Sequence, residues 1–188
     1  SLPDYGYNIS ESDGVGCVLV DDANSTSSNL NNICAPGHYC PEGSSSPIQC
    51  PPGTNSSAVG LVSVSDCGAC SEGFYCPVNG TVFASLQCPA GYYCPSGTAT
   101  LLSSNICPRG MFCPVQSAKP IACPAGTFQK ETGRDDCEIC PSGSYCPVNS
   151  STPVVCPEGS YCPAGTKFGT EHLCPPGTFN NMTGLMSI

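Results

Sequence analysis

Residues 123–147 read CPAGTFQKETGRDDCEICPSGSYCP, and this stretch decides the fold. It holds two cysteine-led strings back to back. Cys123 opens CPAGTF, which runs on to Asp136-Cys137 and, three residues later, Cys140. Cys140 then opens CPSGSYCP, in which a second cysteine, Cys146, closes the string after a glycine and an aromatic. Both strings recur along the chain. The short-loop unit is Cys, two residues, Gly, one residue, an aromatic, Cys, Pro, and it begins at Cys34, Cys70, Cys88, Cys107, Cys140 and Cys156. The long-loop unit lacks the nearby second cysteine and begins at Cys50, Cys123 and Cys174. Numbered along the chain, units 1 to 9 start at Cys34, Cys50, Cys70, Cys88, Cys107, Cys123, Cys140, Cys156 and Cys174, every 16 to 20 residues. Self-similarity at a short fixed period is the mark of a repeat array, in which no unit buries a core alone.

Composition agrees. The 188 residues include 18 Cys, 21 Gly and 20 Pro, with no Trp. Cysteine at that density indicates a disulfide scaffold, because so few large apolar side chains cannot offset the ordering entropy of the chain. The expected fold is therefore small and disulfide-rich. It is a row of tandem cysteine-rich repeats forming an elongated rod, mostly coil with short two-stranded β-ribbons and little or no helix. The β-prone runs Val62–Val64, Thr81–Phe83 and Pro153–Val155 are candidates for ribbon strands. No segment keeps a 3.6-residue apolar period. The glycine at the fourth place supplies positive φ for a tight turn. The aromatic (Tyr39, Tyr75, Tyr93, Phe112, Phe128, Tyr145, Tyr161, Phe179) is expected to pack on a disulfide or on the next unit. Asn55 replaces it in unit 2, which should be locally looser.

The domain division is residues 1–33, an N-terminal segment or the end of an upstream module with a candidate strand at Val15–Val20 around Cys17, and residues 34–188, the repeats, the last of them incomplete. The chain has no initiator Met, leader or apolar run long enough to span a bilayer, and reads as a mature or partial piece of something longer.

Three disulfide schemes are open. In the first, every loop closes on itself: Cys34–Cys40, Cys50–Cys67, Cys70–Cys76, Cys88–Cys94, Cys107–Cys113, Cys123–Cys137, Cys140–Cys146 and Cys156–Cys162. This leaves only Cys17 and Cys174, which would pair beyond the segment. A second joins each short loop's second cysteine to the next unit and leaves Cys67–Cys70 and Cys137–Cys140 as tight C-x-x-C bridges. A third interleaves Cys50–Cys70 with Cys67–Cys76. The first is preferred.

Charge and motifs bound the function. Net charge is −9, and no Lys or Arg precedes Arg109. Nucleic acid and anionic membrane surfaces are poor partners for such a chain, since both need clustered basic residues. The pairs Asp21–Asp22 and Asp135–Asp136 lack the spacing of a Ca²⁺ loop. No catalytic set can be assembled around the two histidines, His38 and His172, and no phosphate loop is present, so no enzyme activity and no cofactor is expected. The C-x-x-C pairs have zinc-ribbon spacing, but in an oxidising compartment they read as disulfide partners, and no metal site is assigned. Six N-x-S/T sequons, at Asn8, Asn24, Asn55, Asn79, Asn149 and Asn181, point to N-linked glycans and to passage through the endoplasmic reticulum. Asn79 and Asn149 each lie three residues after the second cysteine of their units, which suggests glycans at a recurring position.

The string C-P-x-G-T-F…D-C-x-x-C-P-x-G-x-Y-C resembles ephrin-receptor-like cysteine-rich repeats and, more distantly, tumour-necrosis-factor-receptor modules. The dense C-P-x-G-x-Y-C-P runs are similar to those of large protist surface and flagellar-hair (mastigoneme-type) glycoproteins. The resemblance covers about residues 34–179. It implies an elongated ectodomain, and it implies that the loop opened by C-x-x-G-x-Y closes on the next cysteine, as in Cys50–Cys67 and Cys123–Cys137. The run of short-loop units is a departure from the receptor modules. The expected role is that of a structural, extracellular or cell-surface glycoprotein within a fibre or filament, its partners being other copies of itself or other extracellular proteins. The alternative is a receptor or adhesion ectodomain that binds a protein ligand.

Overall fold

The computed structural model describes residues 33–84 and 86–188. The candidate strand around Cys17 and the sequons Asn8 and Asn24 lie outside them.

Each unit is built from two tight turns, joined in the six short-loop units by a disulfide. The first follows the leading cysteine. In unit 2, Thr54 N–H donates to Pro51 C=O across Pro52 and Gly53, with Gly53 at φ 83°. A closed four-residue turn with positive φ at its third position is a type II turn, which is why Cys-Pro-x-Gly recurs. The second turn follows position 7, the place of the second cysteine. In unit 4, Thr98 N–H donates to Pro95 C=O, and Gly97 takes φ 81°. Ser and Thr hydroxyls reinforce these turns by donating to the same proline carbonyls, as in Thr98 to Pro95 (2.6 Å), Thr166 to Pro163 (2.6 Å) and Ser117 to Pro114 (2.6 Å). The second turn's positive-φ residue is Gly in most units but Gln116 in unit 5 (φ 65°) and Asn149 in unit 7 (φ 64°).

Six two-stranded antiparallel ribbons follow from this plan. They are β1 (His38–Tyr39) with β2 (Ile48–Gln49), β3 (Thr54–Asn55) with β4 (Gly68–Ala69) and β5 (Phe74–Tyr75) with β6 (Leu86–Gln87). The others are β7 (Met111–Phe112) with β8 (Ile121–Ala122), β9 (Thr127–Phe128) with β10 (Glu138–Ile139) and β11 (Ser144–Tyr145) with β12 (Val154–Val155). Units 4 and 8 make the same pairing as single bridges, Tyr92 to Ile106 and Ser160 to Leu173. Among the described residues the only helical elements are two single 3-10 turns, Val64–Asp66 and Ser103–Asn105.

Strand placement departs from the sequence expectation at two of three runs. Thr81–Phe83 forms no strand, and Val62–Val64 leads into a 3-10 turn; only Val154–Val155 of the third run pairs. The reason is register. The leading cysteine of each following unit donates its N–H to the fourth-place glycine of the unit before, as Cys88 does to Gly73 (2.9 Å). That bond fixes the two residues just before the cysteine opposite the two just after the glycine, whatever their β propensity. Unit 2 keeps the same ribbon with Asn55 in the aromatic's place, Asn55 pairing with Gly68.

The interior is made of sulfur. The structure closes Cys34–Cys40, Cys50–Cys67, Cys70–Cys76, Cys88–Cys94, Cys107–Cys113, Cys123–Cys137, Cys140–Cys146 and Cys156–Cys162, with Cα–Cα separations of 5.8–6.0 Å. Fourteen of these sixteen cysteines are buried, and among the described residues the one other apolar side chain buried with them is Phe128. Phe128 of unit 6 packs with Cys140 and Cys146 of unit 7, so here the aromatic does cover the next unit's bridge. Most other aromatics of this position are half-buried, and Phe179 of unit 9 is 87% exposed.

Candidate functional site

The feature that recurs at every step is the junction between units. Between units 3 and 4, Gly73 N–H donates to Cys94 C=O (2.8 Å) and Gly97 N–H donates to Cys70 C=O (2.8 Å). The first turn of one unit and the second turn of the next thus clasp each other reciprocally, each donating to the cysteine carbonyl that opens the other. Cys88 N–H to Gly73 C=O (2.9 Å) and Cys76 N–H to Thr98 C=O (3.0 Å) flank the clasp. All eight junctions from Cys34 to Cys174 carry the same four backbone bonds, at 2.7–3.1 Å. At roughly 0.5–1.5 kcal/mol net for each bond, a junction is worth several kcal/mol, and no side-chain chemistry is needed to make it.

A second contact reaches one unit further. A Cβ placed on Gly53 of unit 2 would stand 2.6 Å from the carbonyl oxygen of Gly97 in unit 4. Gly73 meets Gln116, Gly110 meets Asn149, and Gly143 meets Gly184 in the same way. In units 1 to 7 each first turn is therefore held between the second turns of the next two units, and the alternating turns form one continuous backbone spine. In those units the fourth-place glycine is required twice over, by its positive φ and by this close approach.

Long-loop units solve a different problem. Ser56, Gln129 and Asn180 occupy the position that a second cysteine holds elsewhere, and their carbonyls accept the same bonds from Gly37, Gly110 and Gly159. Gln129 is fully buried. Its Nε2–H donates to Asp136 C=O (3.0 Å), and its Oε1 accepts from Glu131 N–H (3.0 Å). One amide thus replaces the missing sulfur and ties down the charged loop. In unit 2, Asp66 does comparable work at the loop's end. Its carboxylate accepts from Ser63 N–H (2.8 Å) and Val62 N–H (3.1 Å), and these bonds hold it below the usual carboxylate range.

The C-x-x-C pairs are split between bridges: Cys67 joins Cys50 and Cys70 joins Cys76, while Cys137 joins Cys123 and Cys140 joins Cys146. Cys174 is without a partner among the described residues. His38 Nδ1 lies 3.0 Å from Pro36 C=O, and His172 stacks on Tyr161 with ring centroids 5.3 Å apart. Among the described residues no three His, Cys, Asp or Glu side chains converge as a metal site would require, and no helix is long and apolar enough to cross a membrane.

Of the described sequons, Asn79, Asn149 and Asn181 are exposed, whereas Asn55 is half-buried within β3. The shared offset of Asn79 and Asn149 does not give them a shared place. Asn149 is itself the left-handed residue of its turn, and in unit 3 that role falls to Gly80, one residue beyond Asn79. Spacing from position 7 to the second turn's positive-φ residue is three in some units and four in others, and sequence offset hides the difference.

These features define a class: a small disulfide-rich protein of tandem cysteine-rich repeats, zipped by a backbone spine. Residues 110–155, which span units 5 to 7, match the family described as tyrosine-protein kinase ephrin type A/B receptor-like. Over those residues the chain is similar to ephrin-receptor-like cysteine-rich repeats. It is also 33% identical over 105 residues to cysteine repeat modular protein A of Toxoplasma gondii, covering 53% of this chain and 3% of that much longer protein.

Proposed function

We propose that this chain is a structural, non-catalytic segment of an extracellular or cell-surface glycoprotein, a disulfide-stapled repeat rod within a surface fibre or filament. The observation that supports this reading most is the spine. Every junction uses the same four backbone bonds, so units add in line irrespective of side-chain identity, as a spacer requires. Eight disulfides in one short chain require an oxidising environment, and the exposed sequons would carry N-linked glycans. Absence of Lys and Arg before Arg109 would leave more than half of the chain without a tryptic site. Its partners would be further copies of itself or other extracellular proteins.

One observation favours a receptor or adhesion role instead. The long loop of unit 6 and the start of β10 gather Lys130, Glu131, Arg134, Asp135, Asp136 and Glu138 in an otherwise charge-poor array, with Arg134 and Glu131 paired at 3.3 Å. Electron microscopy of the native assembly separates the two readings. Ordered fibres containing the chain are expected; isolated stalks on a membrane would shift the reading to a receptor.

A further inference from the structure

We propose that the array is an extensible tether, one that lengthens under tension unit by unit and stops at a length set by its disulfides. The inference holds whether the rod sits in a fibre or on a receptor stalk, because it uses only the covalent graph and the junctions.

The eight bridges are neither nested nor interleaved. Six close loops of six residue steps, one closes 17 and one closes 14. Of the 140 steps between Cys34 and Cys174, those loops hold 67. A pulling force runs through each bridge and bypasses its loop. No bridge crosses a junction. What resists separation of one unit from the next is therefore the four backbone bonds and the glycine contact, joined at single junctions by side-chain contacts such as Phe128 on Cys140 and Cys146 and Ser96 Oγ–H to Cys70 C=O, with no covalent tie beyond the main chain itself. Tension breaks these before any covalent bond. The remaining 73 steps then straighten, at about 3.5 Å each, while the loops stay closed.

Burial adds a second consequence. Most bridge sulfurs are inaccessible in the folded array, so a thiol reaches them only after a unit has been pulled away from its neighbours. A thiolate then attacks one sulfur and the S–S bond breaks. The other cysteine leaves as a thiolate that takes a proton from water, and a second thiol resolves the mixed disulfide. Each such event releases one stored loop.

The test is single-molecule force spectroscopy of chain 1–188 held by its two ends, with dithiothreitol as the probe. Without reductant, the chain should lengthen in several discrete events and then stiffen. Dithiothreitol added while the chain is held extended should produce further steps of three sizes. Six-step loops should release about 15 Å each, the 14-step loop about 43 Å and the 17-step loop about 54 Å, some 190 Å in all, at about 3.5 Å per residue. With reductant present but no tension, the same steps should be slower by tenfold or more. Rupture of the whole array in one event would overturn the unit-by-unit reading. Equal final lengths with and without reductant would overturn the covalent limit, and equal reduction rates with and without tension would overturn the shielding. Cys88→Ser with Cys94→Ser removes one small step and leaves the others, which checks that the steps are the bridges.

Discussion

Replacing Gly53 by alanine separates the two demands made on the fourth-place glycine. Gly53 sits at φ 83°, and an added Cβ would lie 2.6 Å from Gly97 C=O and 3.4 Å from the Ala99 methyl. Positive φ alone costs an L-residue roughly 1–2 kcal/mol. The backbone oxygen cannot swing aside like a side chain, so units 2 and 4 must part, an overpacking cost of about 1–3 kcal/mol more. Gly159 is the internal control: it holds the same place in its turn at φ 73°, but nothing lies within 4 Å of its added Cβ. Gly159→Ala should therefore show the conformational cost alone. The difference, about 2 kcal/mol, is roughly thirtyfold in a local opening equilibrium. Native-state amide hydrogen exchange on the oxidised protein reads it directly, because a repeat array need not unfold in two states. The informative amides are Gly53, Cys70 and Gly97, which donate to Cys76, Gly53 and Cys70. In Gly53→Ala these should lose protection about thirtyfold more than the Gly159 and Cys174 amides lose in Gly159→Ala. Equal losses in the two variants would refute the close approach as a source of stability.

Gln129→Ala should destabilise the long loop of unit 6 by about 1–3 kcal/mol, because Asp136 C=O and Glu131 N–H both lose their partner beside a buried void. Faster exchange at Glu131 with unchanged exchange in unit 3 is the expected pattern, and an unaltered Glu131 amide would count against the role given to this amide. Asp66 should titrate below an ordinary aspartate, held there first by Ser63 N–H and then by Val62 N–H. Its folded value is the lower one, so its contribution is present above the unfolded pKa of about 3.9 and is lost as pH falls through the folded value. Carboxyl NMR titration checks this, and a midpoint at or above that of a free aspartate would contradict it.

Much of the molecule is legible in the sequence because its strongest constraint is local. A cysteine followed six residues later by another, with Pro, Gly and an aromatic at fixed places, can be read as a small closed loop, and the lack of helical period and the register of nine units follow from spacing alone. The three open pairing schemes differ only in which neighbours join, and the folded chain adopts local closure throughout. What the tertiary structure decided lies between units. Gly53 looks the same in sequence whether it serves its own turn or also admits Gly97, 44 residues away, because both demands select glycine. Gln129 reads as a surface residue of a polar loop until the spine shows it standing where a cysteine would, buried for that reason. Thr81–Phe83 has the residues of a strand but not the position, since the clasp, not propensity, chooses which pair lies opposite. Asn79 and Asn149 share an offset but not a place, because the turn that follows varies by one residue in length. Local preference specifies each turn. Which turn it meets depends on backbone carbonyls and amides, which every residue but proline carries alike and which therefore leave little mark in the sequence.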